Sequence, residues 1–258
     1  MNEFVLYEVT ERIAYLTLNR ADKRNALNPE MIAALKDALI KAKHDVTVKV
    51  IVLKSNGTVF SAGADLDHLQ KMQQNNFEEN LADSSQLKEL FEIIYTHPKI
   101  IIAQVEGSAI AGGCGLATVC DFTFAVTDAK FGYTEVKIGF VPAIVMIFLL
   151  RKIGEAKAKE LLLTGKLIDA TRAAQFGLVN AVYSKEEIVA KVKEFATSLC
   201  NETSSQSLSL TKEMIGKVQE LSLENALNYA AEMNAKARGT DDCKKGITAF
   251  LNKENLLW

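Results

Sequence analysis

The sequence predicts an α/β fold, and three observations carry that prediction. Two apolar runs, Val48–Lys54 and Ile100–Val105, are continuous rather than alternating and rich in β-branched residues, as strands buried on both faces are. Each leads into small residues: Phe60–Leu66 follows a turn at Ser55-Asn56-Gly57, and Gly107–Gly115 follows directly. After Pro142 the chain becomes helical in pattern. In an α/β core the ligand site lies beyond the carboxyl ends of the strands, where those two loops fall.

The elements follow in order. Phe4–Leu18 reads as two strands around a turn at Thr10-Glu11-Arg12. Asn28 and Pro29 are an N-cap and a first helical residue, opening a helix to Lys43 with one apolar face at Ile32, Leu35, Leu39 and Ile40. Leu66–Gln74 is helical in pattern, whereas Asn75–Ser85 is polar with scattered charge and reads as a surface connection or a lid. Leu87–Tyr95 is a helix stopped by His97-Pro98. Beyond Gly107–Gly115, Leu116–Cys120 reads as a short helix and Phe122–Val126 as a strand. Helices are expected over Ile144–Ile153, Glu155–Leu163, Ala170–Phe176, Ile188–Cys200, Ser207–Leu221, Leu223–Arg238 and Asp241–Leu251. We divide the chain into a core over 1–195 and a helical region over 196–258.

Composition narrows the function classes. A net charge of −2 provides no basic field for nucleic acid or an anionic membrane, so any grip on a phosphate comes from locally placed Lys, Arg and backbone amides. The longest apolar stretch, Ile138–Leu150, contains Gly139 and Pro142 and is shorter than the roughly 20 residues of a spanning helix. No leader is read at Met1, and a cytoplasmic location is expected. Cys114, Cys120, Cys200 and Cys243 form no C-x-x-C pair and lack zinc spacing to His44, His68 or His97, so no metal site is expected. They read as reduced packing thiols; Cys114, close to a helix N-terminus that would lower its pKa, is the one candidate nucleophile.

Glycines at a helix start let a ligand approach the backbone and leave unpaired amide N–H groups pointing at it, with the positive end of the helix dipole behind them. Such a place stabilises an oxyanion. Gly107-Ser108-Ala109-Ile110-Ala111-Gly112-Gly113-Cys114-Gly115-Leu116, ending in Cys120-Asp121 and followed by Phe131-Gly132-Tyr133-Thr134-Glu135, resembles the signature of the crotonase, or enoyl-CoA hydratase/isomerase, family. Asn19-Arg20, Asn25-Ala26-Leu27-Asn28 and Phe60-Ser61-Ala62-Gly63-Ala64-Asp65-Leu66 fall in the family's order, so the resemblance spans nearly the whole chain.

That resemblance implies a ββα spiral core with a helical C-terminal trimerisation region, a homotrimer or hexamer, and an acyl-CoA thioester as substrate. No cofactor is implied beyond the coenzyme A that the substrate carries. The amides of Ala64 and Gly112 would hold the thioester oxygen. Arg24, Ala26, Ala62, Asp65 and Leu66 would contact coenzyme A, and Lys253 would reach a nucleotide phosphate. Ala21 departs from the proline usual after Asn19-Arg20.

One departure bears on the reaction. Hydratases of the family carry two glutamates, one after Gly-Gly-Cys and one in F-G-x-x-E; here the first position is Gly115 and only Glu135 remains. Water addition uses one carboxylate to activate water and another to orient it or supply the proton. A single carboxylate suffices to move a proton from the α to the γ carbon of a 3-enoyl thioester, so the expectation leans to Δ3,Δ2-enoyl-CoA isomerisation by Glu135. Apolar neighbours Phe131, Phe140 and Val141 are expected to raise its pKa. The alternatives are hydration of a 2-enoyl or methylglutaconyl type at an altered single-glutamate site, with His68 or Asp67 standing in for the absent acid; decarboxylation of an acyl-carrier-protein thioester; and acyl-CoA binding without catalysis. Related acyl-CoA hydrolases carry a further acid after the following proline, where this chain has Ala143.

Overall fold

The computed structural model describes residues 4–258. The chain opens with β1 (Val5–Thr10) and β2 (Ile13–Leu18), an antiparallel pair turned by Glu11 and Arg12, both at positive φ. Helix α1 (Pro29–His44) starts where Asn28 accepts the Met31 amide, and buries Met31, Ile32, Leu35 and Leu39.

Three turns of a ββα spiral follow. The first is β3 (Val50–Ser55), β4 (Val59–Ser61), then α2 (Leu66–Met72) and α3 (Phe77–Thr96). The second is β5 (Ile100–Val105), β6 (Ser108–Ile110) and α4 (Gly112–Val119). The third is β7 (Phe122–Val126), β8 (Lys130–Gly132), a 3-10 turn over Glu135–Ile138, and α5 (Ala143–Ile153). The first strand of each turn joins one sheet and the second joins another. With α6 (Glu155–Thr164), β9 (Ile168–Asp169), α7 (Ala170–Phe176) and β10 (Ala181–Tyr183) in place, the sheet orders are β1-β2-β3-β5-β7-β10 and β4-β6-β8-β9. From β2 to β10 the larger sheet is parallel, with Ile13 opposite Val50, Val50 opposite Ile100 and Ile102 opposite Phe122. Its β3 and β5 strands are buried nearly throughout, as continuous Val/Ile runs require.

The tail is helical: α8 (Ile188–Glu202), α9 (Ser205–Val218), α10 (Leu223–Gly239) and α11 (Asp241–Asn252). Helix α8 lies on the larger sheet through Ile188, Val192, Ala196 and Cys200. Its C-terminal carbonyl at Cys200 accepts from Lys49 Nζ at 2.8 Å and Arg12 Nη1 at 3.1 Å. Helices α9, α10 and α11 pack on one another, and α9 also rests on α3.

Two element expectations need correction. Asn75–Ser85 is not a connection but the start of α3. A capping box closes that start: Asn76 Oδ1 accepts the Glu79 amide while Glu79 Oε2 accepts the Asn76 amide, both at 2.9 Å. The first half of α3 is largely exposed, so no apolar periodicity marked it. Helix α4 begins at Gly112 rather than Leu116, because the small residues that look like loop are needed for a buried helix packed closely on β4 and α5.

Candidate active site

The site is built from loops of all three spiral turns. Arg24 and Asn25, at φ 52° and 51°, end a 3-10 turn over Ala21–Lys23 and send the chain alongside residues 62–65. There Ala62 N–H donates to the Arg24 carbonyl at 3.0 Å, Leu27 N–H to Gly63 at 2.7 Å and Asp65 N–H to Leu27 at 3.3 Å. Asn25, fully buried, fixes the arrangement: Nδ2 donates to the Asn56 and Val59 carbonyls, and Oδ1 accepts the Arg20 amide. Ser61 Oγ donates to the Asn25 carbonyl and accepts the Gly63 amide.

Gly63, at φ +87°, brings this pair of strands against the α4 start. A side chain on it would lie 2.9 Å from the Ile110 carbonyl oxygen and 3.1 Å from the Gly112 nitrogen. Gly113 makes the same approach from the other side, since its Cβ would meet the Ser61 carbonyl oxygen at 2.4 Å. The Ala64 and Gly112 backbones therefore converge. Gly112 is the first residue of α4, and among the described residues neither its N–H nor that of Ala64 donates to a protein acceptor. Ala64 is exposed and Gly112 half-buried.

Glu135 reaches this neighbourhood through β8. Phe131 and Gly132 pair with Ala109 and Ile110 of β6, and the Ala111 amide donates to the Gly132 carbonyl at 2.8 Å. Below, Tyr133 is fully buried with its hydroxyl 2.8 Å from Thr118 Oγ1, which pins the segment to α4. Glu135 is 8% exposed, and its Oε2 is enclosed with no hydrogen-bond partner among the described residues. Burial raises its pKa above the ordinary carboxylate value, opposed in part by its own backbone amide. Phe131 is buried, but Phe140 and Val141 are exposed and do not form the expected apolar surround; the backbone of Phe140 instead donates to the Glu135 carbonyl.

The other predicted residues divide. Ala26 is buried and Ala62 half-buried in the paired segments, while Arg24 and Leu66 are exposed beside them. The Asp65 side chain is committed to the fold: it pairs with Arg20 and caps α2 by accepting the His68 amide at 3.0 Å. Burial would raise its pKa, yet Arg20 and that amide outweigh burial and hold it low. Lys253, exposed at the end of α11, sits on a helix that packs against α9 and α10. Its backbone N–H donates to the Ala249 and Phe250 carbonyls of α11, and among the described residues its side chain makes no hydrogen bond or ion pair with residues 24–66. His68 Nε2 meets Asp83 Oδ1 of α3 at 2.6 Å, and Asp67 pairs with Lys23 at the surface. Cys114 is not activated. Full burial pushes its thiol up to about 12, overriding the helix start, so it is packing.

Sequence reasoning had no signal for Ser61 and Tyr133 as the props of the two loops, because neither role follows from residue type or spacing. A separate cleft of about 690 Å³ between α3, α5 and α9, floored by Tyr95, Ile144 and Phe148, contains none of Ala64, Gly112 or Glu135. No group of three or more metal-ligating side chains occurs among the described residues.

This fold is that of one enzyme class. Residues 8–258 match the family model described as enoyl-CoA hydratase/isomerase. A Thermus thermophilus protein provisionally named enoyl-CoA hydratase is 42% identical, over 93% of this chain and 95% of that one. The crotonyl-CoA hydratase of Syntrophomonas wolfei is 33% identical, over 97% and 96%. The structure of a Mycobacterium smegmatis enoyl-CoA hydratase superposes with a TM-score of 0.93 at 28% identity, covering 99% of this chain and 98% of that one. The chain belongs to the enoyl-CoA hydratase/isomerase family.

Proposed function

We propose that the protein moves the double bond of an unsaturated acyl-CoA thioester from the 3 to the 2 position, with Glu135 as the single acid/base. The observation that carries this reading is the pairing of one enclosed carboxyl, with a free Oε2, and a Gly115 that offers no second acid. The Ala64 and Gly112 amides would receive the thioester oxygen as its charge grows, each contributing about 3 kcal/mol to the transition state. Glu135 would take the proton from C2 and return it at C4, so that the double bond shifts and the carboxylate is regenerated. A raised pKa suits both halves, since it makes the carboxylate a stronger base and keeps the acid form available.

Arg24 and Lys253 are proposed to meet coenzyme A phosphates, and Ala26, Ala62, Asp65 and Leu66 to contact its body through backbone and small side chains. A homotrimer or hexamer is proposed as the working form, in keeping with the family resemblance.

A second reading, hydration of a 2-enoyl-CoA, is favoured by the names of the relatives in Thermus thermophilus and Syntrophomonas wolfei. The two are separated by incubating the protein with 3-hexenoyl-CoA and with crotonyl-CoA in deuterated water and weighing the products. A 2-enoyl product from the first, detected by the absorbance of its conjugated thioester because a proton carried by Glu135 from C2 to C4 leaves the mass unchanged, supports isomerisation. A hydrated product from the second at comparable rate overturns it.

A further inference from the structure

Gly115 is buried in α4, and the volume beside it is already occupied. A Cβ built there would lie 2.2 Å from Cγ1 and 2.8 Å from Cβ of Val145 on α5, and 3.1 Å from Cε1 of Phe91 on α3. We propose that Val145 is the specificity-determining residue that restricts this site to one carboxylate, because its side chain fills the space that an acidic side chain at position 115 would need. The proposal rests on the reading of Glu135 as sole acid/base.

Val145 has little freedom to yield. It is 3% exposed, and a β-branched side chain in a helix is confined to essentially one rotamer. Its helix cannot slide away either. Lys152, further along α5, donates to the Thr118 and Cys120 carbonyls at the end of α4, at 2.9 and 2.8 Å, and so ties the two helices together. Phe91 is backed by Phe148, with ring centroids 5.7 Å apart. Selection between reactions therefore involves two positions on two helices. Gly115 lacks the acid, and Val145 prevents its insertion.

Packing is tested without catalysis by comparing melting temperatures of the wild type, G115A, V145G and G115A/V145G. Alanine ordinarily stabilises a helix interior relative to glycine, so the sign is diagnostic. We expect G115A to melt below the wild type and G115A/V145G to melt above V145G. G115A melting at or above the wild type overturns the proposal.

Chemistry is tested with G115E and G115E/V145G on crotonyl-CoA, where hydration joins the water oxygen to C3 and a proton to C2. The double variant is expected to hydrate about a hundredfold faster than V145G, the low end of a positioned acid–base contribution. G115E alone is expected to gain little. Equal hydration by G115E and the double variant, or none above V145G in a double variant that folds, overturns the proposal. Failure of the Glu135 reading appears separately, as wild-type turnover of 3-hexenoyl-CoA by E135Q, and leaves the melting comparison standing.

Discussion

Lys212 Nζ donates to Asp121 Oδ2 at 2.7 Å, joining a helix of the C-terminal region to the end of α4. The same ammonium reaches the Ile94 and Lys99 carbonyls at 3.2 Å, and Asp121 also accepts the Ile101 amide at 2.7 Å. Burial raises the Asp121 pKa while Lys212 draws it back, so removing the cation leaves a carboxylate with poor compensation. K212M is expected to lower unfolding free energy by about 1.5–3 kcal/mol, the range of a lost hydrogen bond to a charged group. Urea denaturation measures this directly; a loss below half of that range means that the link contributes little.

Glu135 gives a prediction in pH. Its folded pKa is raised by burial, so the carboxylate proposed as the base forms at a higher pH than that of an ordinary glutamate. The kcat/KM for a 3-enoyl-CoA should rise with pH through that raised pKa and show no basic limb from a second carboxyl. Above its folded pKa the enclosed charge opposes folding. E135Q should therefore lose about 10²–10⁴ in rate while melting no lower than the wild type at neutral pH. An E135Q protein that keeps its rate removes Glu135 from the chemistry.

Gly63 carries the geometry of the proposed oxyanion site. Its positive φ and the 2.9 Å approach to the Ile110 carbonyl leave no room for a methyl group. G63A should separate the Ala64 and Gly112 amides and cost about 10²–10³ in kcat, the effect of losing one oxyanion donor. Circular dichroism on the same variant distinguishes this from unfolding: an unchanged spectrum with undiminished kcat refutes the placement.

His97 predicts how stability responds to acid. It is 2% exposed; Nδ1 accepts the Lys99 amide at 3.1 Å and Nε2 donates to the Leu39 carbonyl at 3.2 Å, an arrangement that fits the neutral ring. Burial, aided by the Lys212 and Lys99 charges, lowers its pKa from 6.5 to about 4. A depressed histidine contributes stability that is present above its unfolded pKa and lost as pH falls towards the folded one. The loss between pH 6.5 and about 4 should approach roughly 3 kcal/mol. Parallel urea titrations of the wild type and H97Q across that window check it, since H97Q should show a flatter pH dependence.

Much of this was legible in the sequence. The β3 and β5 strands announce themselves as unbroken Val/Ile runs, and Asn28-Pro29 marks the α1 start through its capping chemistry. The loops around Ala64 and Gly112 stand out because close backbone approach demands small residues. What stayed hidden lies either on exposed surface or with partners distant in the chain. Asn75–Ser85 enters α3 at Phe77 through a local capping box, yet the exposed surface of that helix start gives no periodicity. The position of Cys114 near a helix start suggests activation, but burial among Tyr133 and its neighbours reverses the effect. Val145 reads as one more apolar residue of α5, and its contact with Gly115 exists only once α4 and α5 are packed.

The bridge between Leu27 and Ala64, with Gly63 resting on Ile110, makes the site a product of distant closures. Residues near 25, 63, 112 and 135 meet only after three crossovers have formed, and each crossover closes a long loop before its contacts repay the entropy. No fragment that ends before β8 contains Glu135, and none that begins at α2 or later contains Ala64. Catalytic competence during refolding should therefore appear as the last and slowest phase, behind the recovery of helical signal. A stopped-flow comparison of the two would record the order in which this spiral winds.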